Sequence, residues 1–213
     1  MKLSPSLLSA DFGRLLDEAL SVQAHVERFH WDVMDGHFVP NLTFGPPVVN
    51  ALRNRLALPF DIHLMIDSPA VYAPQFDVRP QDTILFHIES DDAPERVLEA
   101  IARTSASAGI TLRPGTSLQS IAPYLDHVSM VLVMSVEPGF GGQAFIPEAL
   151  DRIRALRQLI GDRAIEISVD GGINAQTIRS VIEAGADIAV AGSAIFGASD
   201  RVAVIAELRK AAA

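Results

Sequence analysis

The chain has 213 residues, of which 49% are hydrophobic and 20% charged, a globular composition that supports a large core and argues against disorder. Its formal net charge of −9 at pH 7 disfavours a nucleic-acid partner, although a local pocket for a small phosphate remains compatible with it. Because the chain has no cysteine, disulfides, thiolate metal sites and cysteine nucleophiles are also excluded.

The N-terminal segment does not have the pattern of a targeting signal. Residues Met1 to Ala10 contain one lysine and a short apolar stretch that serine and proline interrupt, unlike the long apolar region of a signal peptide. No part of the chain comes near the roughly 20 consecutive apolar residues that cross a bilayer. We therefore expect a cytoplasmic protein without a membrane partner.

Short apolar or β-branched runs alternate with longer amphipathic stretches along the whole chain, a pattern typical of a parallel sheet built from strand–helix units. The eight predicted strands are Lys2 to Leu8, Arg28 to Met34, Phe60 to Met65, Thr83 to Ile88, Ile110 to Arg113, Val128 to Met134, Ile165 to Asp170 and Ile188 to Ala191. The predicted helices are Phe12 to His25, Pro46 to Leu56, Pro94 to Ala106, Pro147 to Ile160, Ala175 to Ala184 and Asp200 to Lys210.

This alternation favours a closed barrel. Eight units in 213 residues leave about 27 residues for each unit, which is short but sufficient for a minimal barrel. The alternative, a doubly wound open sheet, lacks its usual G-x-G-x-x-G loop after the first strand. No glycine/serine-rich linker divides the chain. The sequence therefore predicts a single (β/α)8 TIM barrel, one catalytic domain that covers residues 1–213.

Alternate residues of a barrel strand face the interior, so the position of a residue in its strand shows whether it faces the helices or the interior. In the second predicted strand, Phe29, Trp31 and Val33 form an apolar face that we expect against the helices. The same alternation sends polar side chains inward from three strands: His30, Asp32, Asp61, His63, Glu166, Ser168 and Asp170.

Four of these residues have the composition of a metal site. Asp32, His63 and Asp170 stand at or near the carboxyl ends of their strands, where the catalytic groups of barrels collect. Together with His30 they offer two imidazoles and two carboxylates, which suit zinc, iron(II), manganese or cobalt better than calcium or magnesium. An interior hydrogen-bond network without metal explains the same residues equally well from the strand pattern alone.

Glycines follow each of the last three strands. They lie in Val136 to Gln143 after the sixth strand, Gly171-Gly172 after the seventh and Gly192-Ser193 after the eighth. Glycine lets backbone N–H groups approach an anion, and barrels commonly bind phosphate after strands seven and eight, so we predict a phosphate site here. The loop Glu137 to Ala144 has the composition of a mobile lid, or of a plain flexible connection.

Other candidates are weaker. We expect His87, alone in the fourth strand, to be a core histidine with satisfied hydrogen bonds rather than a ligand. His37 either contacts substrate or caps a turn. Three strands end in methionine, which fills gaps or forms an apolar floor beneath a sugar: Met34, Met65 and Met134.

Several runs closely resemble the ribulose-phosphate 3-epimerase family, in the family's order and over nearly the whole chain. The most specific are His30 to Asn41 and Glu137 to Gln143. The others are Pro5 to Asp11, Asp61 to Met65, Val169 to Ile173 and Ala191 to Phe196. This resemblance implies an epimerase on the predicted barrel.

The resemblance also implies roles for individual residues. It makes His30, Asp32, His63 and Asp170 the ligands of one divalent cation per chain, with Asp32 and Asp170 also the catalytic acid/base pair. The implied substrate-binding residues are Ser6, His63, Gly139, Phe140, Gly141, Gly142, Asp170, Gly171, Gly172, Gly192 and Ser193. The three methionines become apolar walls around the reacting carbons.

The implied reaction inverts C3 of D-ribulose 5-phosphate. One aspartate removes the C3 proton, the metal stabilises the enediolate, and the other aspartate reprotonates the opposite face to give D-xylulose 5-phosphate. The resemblance further implies a place in the pentose phosphate pathway and a homo-oligomer, either a dimer or a hexamer.

Two residues depart from the family pattern. Ser168 stands where many relatives have glutamate, which puts the support of Asp170 by its neighbour in doubt. Arg113 stands where asparagine or lysine is usual, a change that we expect to be peripheral.

Three other functions remain open from the sequence. An epimerase for a six-carbon ketose phosphate such as D-allulose 6-phosphate would share the site. A metal-free barrel lyase or isomerase would leave His30 and His63 unexplained. A sugar-phosphate binding module would not need two opposed aspartates.

Overall fold

The computed structural model describes residues 1–213, which form eight parallel strands that alternate with helices. The strands are β1 (Lys2–Ser4), β2 (Phe29–Met34), β3 (Phe60–Met65), β4 (Thr83–His87), β5 (Ser107–Leu112), β6 (Met130–Met134), β7 (Glu166–Asp170) and β8 (Ile188–Val190). Each strand pairs with its sequence neighbour from β2 to β8, and β1 pairs with β8.

The remaining gap, between β1 and β2, is bridged just beyond β1. Ser6 forms a parallel bridge with His30, and the His30 N–H donates to the Pro5 carbonyl at 3.0 Å. This bridge brings β2 against the chain that leaves β1, so the sheet curls into a barrel. The predicted (β/α)8 fold is confirmed.

The helices lie outside the barrel. They are α1 (Leu15–Gln23), α2 (Pro46–Arg53), α3 (Pro69–Tyr72), α4 (Pro94–Ala102), α5 (Ala149–Ile160), α6 (Ile178–Glu183), α7 (Ser193–Phe196) and α8 (Arg201–Ala211). Proline begins α2, α3 and α4, where its missing N–H costs no hydrogen bond. Asp200 caps α8 by accepting from the Ala203 N–H. None of these helices combines the length and the apolar character that crossing a membrane requires.

All six predicted helices and eight predicted strands are present; the third strand has the predicted bounds, and the other elements have one or both ends shifted. The first strand was predicted to continue to Leu8 but stops at Ser4, because the chain turns into a 3-10 helix over Leu7–Ser9. The four-residue helices α3 and α7 were not predicted, since four residues are too few to show a helical period.

The interior and exterior faces of the strands follow the predicted alternation. Phe29, Trp31 and Val33 belong to one cluster of 46 buried apolar residues between the strands and the helices. Inside the barrel, a second cluster comes mainly from β6 and β8: Leu85, Met130, Leu132, Met134, Val136, Ile188 and Val190. Apolar side chains therefore fill one side of the barrel, and the polar side chains of β2 and β3 occupy the other.

The predicted inward residues Asp61 and Glu166 form ion pairs near the amino ends of the strands. Asp61 is fully buried and accepts from Arg28 Nε at 2.8 Å and from Ser4 Oγ at 3.2 Å. Glu166 pairs with Lys2. These pairs satisfy the lower polar layer of the barrel, so the groups left for chemistry are those nearer the carboxyl ends.

Candidate active site

Four side chains converge at the carboxyl-terminal end of the barrel, as the alternation predicted. His30 and Asp32 come from β2, His63 from β3 and Asp170 from the last position of β7. One ligand atom from each lies within 4.8 Å of the others. The β2–β3 register places Asp32 directly beside His63, and Asp170 reaches the cluster from across the barrel.

Asp32 lies at the centre of this cluster. Its Oδ1 is 3.1 Å from His63 Nδ1 and 3.3 Å from His30 Nε2, and these two nitrogens are 3.3 Å apart. Asp170 Oδ2 lies 3.8 Å from His30 Nε2. The other Asp32 oxygen accepts a 2.6 Å hydrogen bond from Ser6 Oγ, which orients this carboxylate.

The charges of this buried cluster shift the pKa values of the two carboxylates in opposite directions. Burial raises the pKa of Asp32, but the charge and hydrogen bond of His30 outweigh burial and hold this pKa well below its usual range. Burial, followed by repulsion from Asp32, raises the pKa of Asp170 to about 7. One carboxylate is thus ionised and the other carries its proton for much of the time near neutral pH, which is the division of roles that acid/base pairs need.

The two imidazoles are also distinct. Burial lowers the pKa of His30, but the carboxylates of Asp32 and Asp170 overcome burial and raise it to about 9. Burial lowers the pKa of His63 to about 3, despite the negative charge of Asp32 beside it. Near neutral pH in the metal-free protein, His30 is therefore protonated and His63 is neutral.

The donor set fits a divalent metal ion. First-row ions hold nitrogen and oxygen at about 2.0–2.2 Å, which puts neighbouring ligand atoms of a four-ligand set about 3.3–3.6 Å apart. The three distances among His30 Nε2, Asp32 Oδ1 and His63 Nδ1 are 3.1 to 3.3 Å, within about 0.2 Å of that range. A cation at this centre would replace the proton that His30 holds.

A cleft lies above the cluster and brings the predicted substrate residues together. Asp32 and Asp170 line the cleft, and so do the three strand-end methionines Met34, Met65 and Met134. The other predicted residues that line it are Ser6, Gly139, Phe140, Gly141, Gly142, Gly171, Gly172, Gly192 and Ser193. His63, which is fully buried, does not line the cleft, so its place among the substrate contacts stays a prediction.

The glycines after β7 are required by the backbone. Gly171 and Gly172 have φ angles of +119° and +65°. A Cβ at Gly172 would lie 2.5 Å from the Phe145 backbone nitrogen, so no other residue fits without movement. This close approach keeps the end of β7, which carries Asp170, against the loop after β6.

The loop Glu137 to Ala144 is held by hydrogen bonds from two amide side chains. Gln143 Nε2 donates to the carbonyls of Glu137 at 2.7 Å and Phe140 at 2.9 Å. Asn41 Nδ2 donates to the Gly139 carbonyl at 2.8 Å. Phe140 at its tip is 54% exposed. The mobility that the composition indicates stays a prediction.

Two further residues, His87 and Glu89, lie beside the cluster. His87 is buried and satisfied as expected, but its partner is the site itself: His87 Nε2 lies 2.9 Å from His63 Nε2. Glu89 Oε2 lies 3.1 Å from His87 Nδ1, and no signal pointed to Glu89. The alternation of β4, which places His87 inward, was the available signal for His87.

The two departures from the family pattern have different surroundings. The Arg113 guanidinium lies 4.3 Å from the centre of the Phe38 ring and donates to the Phe38 carbonyl, and the expectation that this change is peripheral stays a prediction. That ring packs against His87, with ring centres 4.8 Å apart. Ser168 is buried and its Oγ has no hydrogen-bond partner, so it gives Asp170 no side-chain support.

His37 caps a turn. Its backbone N–H donates to Asp35 Oδ1 at 2.8 Å, and its ring nitrogen Nδ1 lies 3.0 Å from the Asp35 carbonyl. Of the two predicted roles, the structure shows this one.

Fold and site together define the class: a (β/α)8-barrel enzyme with a His/Asp cluster suited to a divalent metal at its catalytic rim. The model of the ribulose-phosphate 3 epimerase family matches residues 2–196. The chain belongs to the ribulose-phosphate 3-epimerase family.

Two ribulose-phosphate 3-epimerases match this chain over nearly its full length. The ribulose-phosphate 3-epimerase of Mycobacterium leprae (strain TN) is 49% identical over 212 residues, which cover 99% of this chain and 94% of that protein. The ribulose-phosphate 3-epimerase of Bacillus subtilis (strain 168) is 43% identical, with 98% of each chain covered.

Structures of more distant proteins share the fold. The 3-keto-L-gulonate-6-phosphate decarboxylase of Vibrio cholerae has a TM-score of 0.73 at 18% identity, covering 99% of this chain and 96% of that one. The orotidine 5'-phosphate decarboxylase of Pyrococcus horikoshii has a TM-score of 0.67 at 14% identity, covering 99% and 98%. At these identities the likeness concerns the barrel alone.

Proposed function

We propose that this chain interconverts D-ribulose 5-phosphate and D-xylulose 5-phosphate by inverting C3. The observation that carries the proposal is the pair Asp32 and Asp170, which line one cleft from β2 and β7 and have pKa values shifted in opposite directions. Inversion at a carbon beside a carbonyl needs a proton acceptor on one face and a proton donor on the other. The two carboxylates supply both.

The roles follow from the protonation states. Asp32 is ionised and is the carboxylate that can accept a proton, and Asp170, with a pKa of about 7, holds a proton that it can donate. The roles exchange for the reverse reaction. Ser6 holds one oxygen of Asp32 at 2.6 Å, which leaves the other toward the cluster.

His30, Asp32, His63 and Asp170 are the residues that would hold one divalent ion, either zinc, iron(II), manganese or cobalt. A bound ion supplies Lewis-acid stabilisation of negative charge on the oxygens beside the reacting carbon. Around it, the buried methionines Met34, Met65 and Met134 form apolar walls that exclude water.

The glycine loops are the proposed phosphate site. Gly141, Gly142, Gly171, Gly172 and Gly192-Ser193 line the same cleft as the aspartates. The glycines have no side chain that would hold an anion away from their backbone N–H groups, and a phosphate there would orient the sugar toward Asp32 and Asp170.

The resemblance also supports a cytoplasmic homo-oligomer, dimer or hexamer, whose single catalytic domain covers residues 1–213 and whose partner is a small sugar phosphate. Size-exclusion chromatography with light scattering measures the assembly. A monomer at micromolar concentration would contradict this part of the proposal.

The test of function is direct turnover. Protein reconstituted with one divalent ion is mixed with D-ribulose 5-phosphate, and the appearance of D-xylulose 5-phosphate is followed by NMR. We expect conversion to an equilibrium mixture from either side, and faster turnover than with D-allulose 6-phosphate. Metal-loaded, folded protein that converts neither pentose phosphate would overturn the proposal, and a preference for the hexulose phosphate would reassign the substrate.

A further inference from the structure

A row of three side chains runs from the metal cluster to the edge of the barrel. His63 Nε2 lies 2.9 Å from His87 Nε2, and His87 Nδ1 lies 3.1 Å from Glu89 Oε2. The two imidazoles stack with ring centres 5.0 Å apart and are fully buried. At the far end, the other Glu89 oxygen accepts the Arg113 N–H at 2.8 Å.

The direction of the hydrogen bonds in this row follows from what each group is able to do. Glu89 is a carboxylate whose two oxygens accept, so His87 must donate from Nδ1. A neutral imidazole that donates from Nδ1 accepts at Nε2. His87 therefore accepts the proton of His63 Nε2, and the lone pair of His63 is left on Nδ1.

That nitrogen is the one that faces the cluster, 3.1 Å from Asp32 Oδ1 and 3.3 Å from His30 Nε2. A metal ion binds only the nitrogen that carries a lone pair. With the opposite tautomer, His63 would present an N–H to the cluster and could not act as a ligand there.

We propose that Glu89, acting through His87, fixes His63 in the tautomer that binds a divalent metal through Nδ1. His87 and Glu89 are positioning residues for the metal centre and touch neither the ion nor the substrate. The inference deepens the proposed function, since it rests on the metal site described above.

The surroundings hold this row in place. The Phe38 ring packs against His87, with ring centres 4.8 Å apart, and the Arg113 guanidinium lies 4.3 Å from the centre of the Phe38 ring. Arg113 thus contributes twice, by its backbone N–H to Glu89 and by its side chain to Phe38. Both contacts limit rotation of His87 and of the Glu89 carboxylate.

Glu89→Gln tests the direction of the row with almost no change of shape. A carboxylate gives two acceptors to two donors, the Arg113 N–H and the His87 Nδ1–H, but an amide gives one acceptor and one donor. If the amide donates to His87, His87 must carry its proton on Nε2 and His63 is forced into the wrong tautomer. If the amide oxygen faces His87, its NH2 opposes the Arg113 N–H.

A pair of substitutions at His87 separates hydrogen bonding from packing. His87→Gln keeps an acceptor for His63 Nε2, whereas His87→Leu fills the space without one. Thr111→Val is the matched control, because Thr111 is the neighbour of His87 in the β4–β5 register, is fully buried and has a hydroxyl without a partner.

The readouts are the zinc dissociation constant, from competition with a chromogenic chelator, and the visible spectrum of the cobalt(II) protein. We expect Glu89→Gln and His87→Leu to weaken zinc binding about 10- to 100-fold and to change the cobalt bands. His87→Gln should recover most of the affinity, and Thr111→Val should match the wild type. Circular dichroism and thermal unfolding of the metal-free variants show whether each one folds.

The outcomes separate this inference from the proposed function. If the wild-type chain binds no zinc, the metal assignment itself fails. If the wild type binds zinc and folded Glu89→Gln and His87→Leu bind it within twofold as tightly, the metal site stands and the positioning role is overturned. Equal losses in His87→Gln and His87→Leu would also overturn it, because an acceptor at His87 would then make no difference.

Discussion

His30 Nε2 lies 3.3 Å from His63 Nδ1, but only His63 has a hydrogen-bond partner at its other ring nitrogen. His63 Nε2 has His87 as its partner, whereas His30 Nδ1 is buried without any hydrogen bond. The protein therefore fixes the orientation and tautomer of one imidazole and leaves the other to the charges of Asp32 and Asp170. This asymmetry makes His63 the pre-organised ligand and His30 the proton carrier of the metal-free centre.

The first prediction concerns metal content. We expect one divalent ion per chain, and His63→Ala should reduce the content measured by plasma emission spectroscopy to a small fraction, because the pre-organised ligand is lost. Chelation should abolish turnover, and zinc, manganese or cobalt should restore it. Full turnover by exhaustively metal-free protein would show that the cluster works as a hydrogen-bond network instead.

The second prediction concerns protons. Because the Asp32 and Asp170 carboxylates overcome burial and raise the pKa of His30 to about 9, His30 is protonated in the metal-free protein below that pH. Metal binding must displace this proton, so we expect release of about one proton per ion near pH 8. The apparent affinity should rise about tenfold per pH unit toward pH 9 and level off above it.

Calorimetry in buffers of different ionisation enthalpy counts these protons. Asp170, whose pKa is about 7, is mostly ionised near pH 8 and contributes little to the count there. A count close to zero at that pH would mean that His30 is already neutral before the metal binds.

The third prediction concerns the phosphate site. Gly172→Ala places a Cβ within 2.5 Å of the Phe145 nitrogen at a φ of +65°, so the loop after β7 must shift. We expect a loss of about 1–3 kcal/mol of unfolding free energy. We also expect at least a tenfold fall in kcat/KM for D-ribulose 5-phosphate, whose phosphate these loops would hold.

Gly115→Ala is the control, since a Cβ there meets nothing within 4 Å. Dephosphorylated D-ribulose is the second comparison, and it should be a very poor substrate of the wild type. Gly172→Ala should lower kcat/KM for D-ribulose less than it lowers kcat/KM for D-ribulose 5-phosphate. Comparable catalytic efficiency on D-ribulose and its 5-phosphate would rule out a phosphate site in these loops.

The sequence predicted the parts of the site that depend on strand alternation. His30, Asp32 and His63 lie in β2 and β3, where an unbroken two-residue period identifies the inward face. The strand register that puts Asp32 beside His63 was not predictable in the same way, because it depends on how neighbouring strands slide. The resemblance to the family supplied that juxtaposition.

Local turn chemistry explains what the pattern missed. The apolar residues Leu7 and Leu8 extended the first predicted strand, but the Ser6 hydroxyl accepts from the Leu8 N–H and turns the chain. The same hydroxyl donates to Asp32, so the turn itself positions a site residue. Glu89 lies beyond the end of β4, where no period applies, and its contact with His87 depends on the path of the loop.

The last prediction concerns the two aspartates. Asp32→Asn and Asp170→Asn should each lower epimerisation about 10²- to 10⁴-fold, because both proton transfers lie on the path. Asp151→Asn, at an exposed carboxylate, is the control and should leave turnover unchanged. Since Asp32 and Asp170 also belong to the proposed metal site, bound ion must be measured in each variant before the loss is assigned to acid/base chemistry.

Hydrogen exchange in deuterated water separates the two roles. Wild-type protein should place deuterium at C3 of the product, because the donor aspartate exchanges its proton with solvent between turnovers. Each metal-loaded asparagine variant keeps one carboxylate, and that carboxylate reaches only one face of C3. We therefore expect each variant to exchange the C3 hydrogen of one epimer without inverting it, and the two variants to act on opposite epimers. Exchange of the same epimer by both variants would place the two carboxylates on one face of the substrate. Wild-type product that fully retains its original C3 hydrogen would require a single group that carries the proton from one face to the other.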